Sequence, residues 1–143
     1  MDRLITKEIK DLDVLIGKNI TKGNNPKGIL NHTQMQILLY LFKHQNEDVC
    51  QKDLEIETHL KKASITGTLD SMQDKGIIER KQSEDDKRKN IIVLSKKTLD
   101  IKEKIEDRFK EIEISIKKGI TEEELNNFFK VVEKIKANLN KEG

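Results

Sequence analysis

Apolar residues recur every three or four positions along most of the chain, which is the pattern of amphipathic helices. The spacing predicts six helices, over about residues 4–20, 31–42, 51–57, 62–74, 95–119 and 121–139. Asn31 with Gln34, and Thr121 with Glu124, have the spacing of capping boxes, which satisfy amide groups at a helix start. Gly76 is placed to close the fourth helix in a left-handed conformation.

Two short runs of β-branched residues interrupt the helical pattern, at residues 77–80 and 91–94, and predict the strands of a hairpin. Residues 81–90 between them are too polar for anything but an exposed loop. Residues 21–28, rich in glycine and asparagine, predict another loop. The fold class is therefore mainly α with a small β-hairpin.

This order of elements predicts a winged helix-turn-helix domain plus N- and C-terminal dimerisation helices. Residues 1–143 form a single domain in this interpretation. The DNA-binding lobe covers about residues 30–95, and a helical dimerisation lobe covers about residues 1–22 and 96–141. The long terminal helices have no partner in the middle of the chain, so we expect them to pack together and against a second subunit.

Composition favours a dimer, but only local clusters of charged residues can indicate what the protein binds. Hydrophobic residues are 34% and charged residues 38%, so a core shared between two subunits uses the few apolar side chains best. Aromatic residues at 3% argue against stacking platforms for single-stranded nucleic acid. The net charge of +2 gives no global attraction to nucleic acid, so only a local basic cluster can bind it. The charged N-terminal segment is neither a signal peptide nor a membrane span, and we expect a cytoplasmic protein without a membrane partner.

The start of the fourth helix and the hairpin tip carry residues that suit contact with double-stranded DNA. In a winged helix, such a helix enters the major groove while the hairpin reaches the backbone or minor groove. Short hydroxyl side chains bond base edges or phosphates, and a glycine permits a close backbone approach. An acidic residue two positions before Arg88 can orient its guanidinium through a paired hydrogen bond. The candidate DNA-binding residues are Lys61, Lys62, Ser64, Thr66, Gly67, Thr68, Lys81, Asp86, Lys87, Arg88 and Lys89.

The chain resembles the MarR family of transcriptional regulators along nearly its whole length. The resemblance rests on residues 30–34, 65–72 and 75–80, and on Asp86-Lys87-Arg88 followed by the run 92–95. It implies a homodimeric winged helix-turn-helix repressor that places two recognition helices on a pseudo-palindromic operator. It also implies release by a small aromatic or lipophilic effector, bound between the DNA-binding lobe and the dimer helices.

Some positions depart from the family pattern. Thr98 stands where many members have glycine, and Glu55 stands where many have alanine. Cys50 replaces a common Ser or Thr cap, and we interpret it as a small, half-buried residue with a redox role as the alternative. The histidines have no metal-ligand spacing, so no cofactor or metal is expected.

Two other functions remain as alternatives. The near-neutral net charge is compatible with a winged-helix protein-interaction module that has no DNA target. On that interpretation the helix residues are ordinary surface positions and the basic loop is a solvated charge run. An enzyme is disfavoured, since the sequence shows no catalytic triad, metal cluster or phosphate-binding glycine loop.

Overall fold

The computed structural model describes residues 2–21 and 30–141, and the chain divides into two compact units, residues 1–112 and 113–143. The predicted loop at residues 21–28 lies outside the described residues apart from Thr21. The elements in chain order are α1 (Ile5–Ile20), α2 (His32–Lys43), α3 (Gln51–Thr58), α4 (Lys62–Asp74), β1 (Ile78–Gln82), β2 (Asn90–Leu94), α5 (Lys96–Asp100), α6 (Lys102–Lys117) and α7 (Glu122–Asn140). The predicted fold class, mainly helical with one hairpin, is confirmed.

The capping box predicted for α2 is present. The Asn31 side chain accepts a hydrogen bond from the Gln34 amide at 2.9 Å, and the Gln34 side chain accepts one from the Asn31 amide at 3.1 Å. These two bonds satisfy amide groups that have no partner inside the helix. The chain therefore enters α2 at a fixed residue, and the apolar positions that follow turn inward.

One hydrophobic core joins α2, α3, α4 and the hairpin. Helices α2 and α4 supply most of it, and Leu54 is the only core side chain from α3. A second, smaller cluster packs Ile20 of α1 and Ile112 of α6 against Met35 of α2. The buried members of the main core are Ile37, Leu38, Leu41, Phe42, Val49, Leu54, Ile65, Leu69, Met72, Ile77, Ile78 and Ile92.

Helix α4 ends at a Schellman motif that turns the chain into the hairpin. Gly76 has φ +73°, as its predicted cap role requires, and its amide donates to the Gln73 carbonyl at 2.9 Å. The Ile77 amide donates to the Met72 carbonyl at 2.9 Å. Strand β1 then pairs antiparallel with β2, with Ile78 opposite Leu94. The hairpin therefore follows α4 directly on the same core.

The prediction of an exposed loop over residues 81–90 is wrong at both ends. Lys81 and Gln82 belong to β1, opposite Ile91 and Asn90 of β2, because the antiparallel ladder continues beyond the β-branched residues. Ser83 is buried, with only 2% of its surface exposed. The loop is therefore shorter than its composition suggested.

The prediction of one long helix from Ser95 to Gly119 is also wrong. Ser95 caps a short helix, α5, through a hydrogen bond from the Thr98 amide. Ile101 then leaves the helical conformation (φ −111°, ψ 13°), and its amide bonds the Thr98 carbonyl three residues back. This tighter turn ends α5, and α6 begins at Lys102.

The second unit, residues 113–143, consists of the end of α6 and helix α7. Thr121 and Glu124 form the predicted capping box at the start of α7. No side chain of α7 is buried, and four of its large apolar residues are more than half exposed: Phe128, Phe129, Val131 and Leu139. Among the described residues, no helix combines the length and the apolar character that crossing a membrane requires.

Candidate nucleic-acid interface

The N-terminus of α4 is basic and has no side-chain cap. Lys61 occupies the N-cap position, Lys62 begins the helix, and both side chains are exposed. The first amide groups of a helix carry partial positive charge and bond anions well when no side chain satisfies them. The two lysines and the helix dipole therefore act together at this end, where a phosphate oxygen can accept hydrogen bonds.

Next to its basic end, the solvent-exposed face of α4 carries small residues. Ile65, Leu69 and Met72 are fully buried, which turns Ser64 and Gly67 to solvent. A Cβ built on Gly67 meets no atom within 4 Å. The glycine is therefore not needed for packing inside the protein, and the small surface around it leaves room for an approaching partner.

Both threonines of α4 form hydrogen bonds within the protein, which their assignment to the DNA surface from the sequence did not include. The Thr66 hydroxyl donates to the Lys62 carbonyl at 2.9 Å and accepts from Nε2 of Gln51 at 2.8 Å, so it bridges α4 to α3. The Thr68 hydroxyl donates to the Ser64 carbonyl at 2.9 Å. Both hydroxyl protons are used within the helix, which leaves the oxygens to act only as acceptors toward a ligand.

The wing, which is the hairpin of β1 and β2 with the turn between them, carries basic residues both in a strand and in the turn. Lys81 lies in β1, with its Nζ 3.9 Å from a carboxylate oxygen of Glu79. Lys87, Arg88 and Lys89 lie in the connection between the strands and are exposed. The Arg88 side chain is 93% exposed. This basic turn is therefore available to a large partner such as a duplex.

Asp86 holds Arg88 as predicted, but not through a paired, two-oxygen contact. A single carboxylate oxygen, Oδ1 of Asp86, accepts from the Arg88 amide at 3.0 Å and from its Nε at 3.4 Å. The bond to the main chain fixes the backbone of the turn more firmly than it fixes the guanidinium. The rest of the Arg88 side chain is exposed to solvent.

An ion pair between α4 and β1 has no counterpart in the sequence-based prediction. Nη1 of Arg80 lies 2.8 Å from Oδ1 of Asp70 and 2.9 Å from Oε1 of Gln73. The pair neutralises an exposed acid on the outer side of α4 and links that helix to the wing. The sequence did carry a signal for this pair: an Asp in the predicted helix is followed ten residues later by an Arg in the predicted strand.

An open cleft of about 270 Å³ lies beside α2 and the end of α3. Its lining includes Tyr40, Lys43 and Glu57. Burial raises the pKa of the Tyr40 phenol above its ordinary value, and the carboxylates of Asp53 and Glu57 raise it further. Within residues 2–21 and 30–141, no three His, Cys, Asp or Glu side chains gather as a possible metal site.

Cys50 is half-buried at the N-cap of α3, as predicted. Its amide and its thiol both donate to Oδ2 of Asp53, at 3.0 and 3.4 Å. The cysteine therefore takes part in the start of the helix-turn-helix.

Comparison with known proteins finds a family model that is similar to the middle of the chain. A family model described as the MarR family matches residues 30–89, which contain α2, α3, α4, β1 and the wing turn. The chain is 26% identical to the transcription regulator MarR from Oenococcus oeni PSU-1, with a TM-score of 0.70 over 93% of this chain and 96% of that one. No curated protein sequence matches the chain.

Two further solved structures share the fold at lower identity. MepR of S. aureus, solved as a complex with DNA, is 18% identical, with a TM-score of 0.83 over 96% of this chain and 99% of that one. The heme sensor PefR from Streptococcus agalactiae, solved with heme, is 21% identical, with a TM-score of 0.66 over 96% and 95%. These likenesses show that the chain has a winged-helix fold.

Proposed function

We propose that the chain is a MarR-family transcription regulator, a homodimeric repressor that binds a pseudo-palindromic operator and leaves it when a small ligand binds. The match of the MarR family model to residues 30–89 supports the proposal. One observation carries the DNA-binding part of the proposal. The open, basic start of α4 and the exposed basic turn of the wing lie on elements that pack on one core. A rigid unit with both features can contact a groove and the flanking backbone together.

The proposed DNA contacts follow from the geometry of each residue. Ser64 and Gly67 face the major groove, with Lys61 and Lys62 at phosphates near the helix start. Thr68 accepts hydrogen bonds at the edge of this surface, and Thr66 acts mainly by holding α4 against α3. In the wing, Arg88 enters the minor groove beside Asp86, and the remaining basic residues, Lys81, Lys87 and Lys89, bind phosphates.

The proposal of a homodimer rests on apolar side chains that each unit leaves exposed. At the start of α1, Ile5, Ile9 and the preceding residue Leu4 are between 52% and 63% exposed. In α7, Phe128 and Phe129 are 51% and 53% exposed. Contiguous apolar faces of this kind mark association surfaces. We propose that residues 1–22 and 96–141 form the dimerisation lobe and that residues 30–95 form the DNA-binding lobe.

We propose that a small aromatic effector binds in the cleft beside Tyr40, which lies within the DNA-binding lobe and not between that lobe and the dimer helices. The cleft is lined by α2 and by Glu57 near the end of α3, and α3 is bonded to α4 through Gln51 and Thr66. A ligand that moves α3 therefore changes the position of the DNA-binding helix. Tyr40 is the only tyrosine and the chain has no tryptophan, so its fluorescence reports binding in the cleft.

Selection from random duplexes tests the proposed function. We expect the purified chain to enrich an inverted repeat whose half-sites lie about one helical turn, ~10 bp, apart. Substituting Arg88→Ala should weaken binding to that duplex and relax preference where the minor groove is narrow. Failure to enrich any sequence, with capture of proteins instead, would favour the protein-interaction module, which the net charge of +2 leaves open.

A further inference from the structure

Ser83 is a buried hydroxyl residue at the base of a highly polar wing. It follows β1 directly, and its surface is only 2% exposed. Its hydroxyl donates to Oδ2 of Asp48 at 2.9 Å. The same oxygen lies 3.3 and 3.4 Å from the amide nitrogens of Asp85 and Asp86, which donate to it. The side chain therefore organises the start of the wing turn while it is bonded to a distant residue.

That distant residue, Asp48, belongs to the connection between α2 and α3. The next residue, Val49, is buried, and its carbonyl accepts a hydrogen bond from the Ile92 amide of β2 at 2.7 Å. The connection therefore contacts the hairpin twice, by a main-chain bond to β2 and by the Asp48 carboxylate to Ser83. These two contacts tie the wing to the segment that leads into the helix-turn-helix.

The contacts continue from Ser83 to the wing arginine. The Ser83 amide donates to the Lys89 carbonyl at 2.8 Å, which closes the base of the turn. Within the turn, the Asp86 amide donates to Ser83, and the Asp86 carboxylate accepts from the amide and Nε of Arg88. A continuous series of hydrogen bonds therefore runs from Asp48 through Ser83 and Asp86 to Arg88.

We propose that Asp48 is a positioning residue for DNA binding, which sets the orientation of Arg88 through Ser83 although it lies 40 residues away in the chain. The proposal rests on the proposed function, since it concerns how the wing meets a duplex. Asp48 itself bears the wrong charge to contact DNA, and its contribution is geometric. Loss of its oxygen leaves the buried Ser83 hydroxyl without its acceptor, and this bond then no longer holds the wing turn in position relative to α3 and α4.

A pair of substitutions at one position separates this geometry from charge. Asp48→Ala and Asp48→Asn both remove one negative charge, so they change the attraction to phosphates equally. Only asparagine keeps an oxygen that can accept from Ser83. Because a hydrogen bond of this kind contributes about 1 kcal/mol, we expect the alanine variant to bind the selected duplex about fivefold more weakly than the asparagine variant. Ser83→Ala, which removes the other partner, should reproduce the loss.

The decisive measurement repeats the comparison in an Arg88→Ala background. If Asp48 acts through Arg88, the difference between the alanine and asparagine variants should shrink to less than about twofold. A fivefold difference that persists without Arg88 would overturn the inference, as would equal affinities of the two variants when Arg88→Ala alone still weakens binding. If the unsubstituted chain prefers no duplex, the proposed function itself fails, and the inference with it.

Discussion

Replacing Gly67 by alanine should stabilise the protein and weaken its binding to DNA. Gly67 lies inside α4, which spans Lys62–Asp74, and an added Cβ meets no protein atom within 4 Å. Alanine is favoured over glycine in a helix interior by about 1 kcal/mol. With no steric penalty to offset this gain, the melting temperature should rise by about 3 °C for a chain of this size.

The effect on DNA binding should have the opposite sign. If the outer face of α4 lies against base edges, a methyl group at residue 67 occupies space that the duplex needs. Overpacking a well-fitted contact costs roughly 1–3 kcal/mol, so we expect the dissociation constant for the selected duplex to increase about fivefold or more. Fluorescence anisotropy with labelled duplex measures this affinity, and thermal unfolding by circular dichroism measures the stability of the same sample.

Gly17→Ala is the matched control for this experiment. Gly17 lies in α1, outside the proposed DNA-binding residues, and a Cβ there also meets no atom within 4 Å. Because residue 17 lies in the proposed dimerisation lobe, size-exclusion chromatography must first show that the variant keeps the oligomeric state of the parent. The variant should then be more stable, with an unchanged affinity for DNA. If the substitution at Gly67 raises the melting temperature but leaves the dissociation constant within twofold, α4 does not present this face to the duplex, and the assignment of the recognition surface is refuted.

Three further predictions concern the fold, the wing and the cleft. Thr98→Val keeps the shape of a buried side chain but removes the hydroxyl that donates to the Ile77 carbonyl at 2.8 Å. Chemical denaturation should show that the free energy of unfolding falls by about 1–3 kcal/mol, and a fall of less than about 0.3 kcal/mol would contradict this role. Lys87→Gln should reduce the magnitude of the salt slope of DNA binding by about 0.9 per subunit, while Lys104→Gln on α6 should leave it unchanged, and equal effects would argue against a phosphate contact. The phenol of Tyr40 should ionise at higher pH in the native protein than in denaturant, because the fold raises its pKa above 10.0. The free energy of unfolding should therefore fall as the pH rises above 10 and through the pKa of the folded state. Coincident titration curves from phenolate absorbance would exclude the shift.

Features fixed by residues close in the chain could be predicted from the sequence. The capping boxes at Asn31 and Thr121 join residues three positions apart, so their partners are visible in the sequence. Gly76 shows the same advantage, because a left-handed helix end has a strong residue preference. The bounds of α4 and the outward position of Ser64 follow from apolar spacing alone.

Features fixed by distant residues could not be predicted in this way. The burial of Ser83 depends on Asp48, which precedes it by a whole helix-turn-helix. Lys81 is a strand residue because of its pairing with Ile91, and composition does not report register. The bond from Gln51 to Thr66 likewise joins two helices and changes the interpretation of a threonine that the sequence placed at the DNA surface.

The most direct test of the account is the affinity of the chain for its selected duplex, relative to a scrambled duplex of the same length and composition, measured over a range of salt concentrations. If α4 and the wing read sequence while lysines bind phosphates, the selected duplex should bind at least about 10³-fold more tightly, and both affinities should fall as salt rises. Equal affinity for the two duplexes, or binding that is insensitive to salt, would contradict the claim that this chain is a sequence-specific DNA-binding regulator.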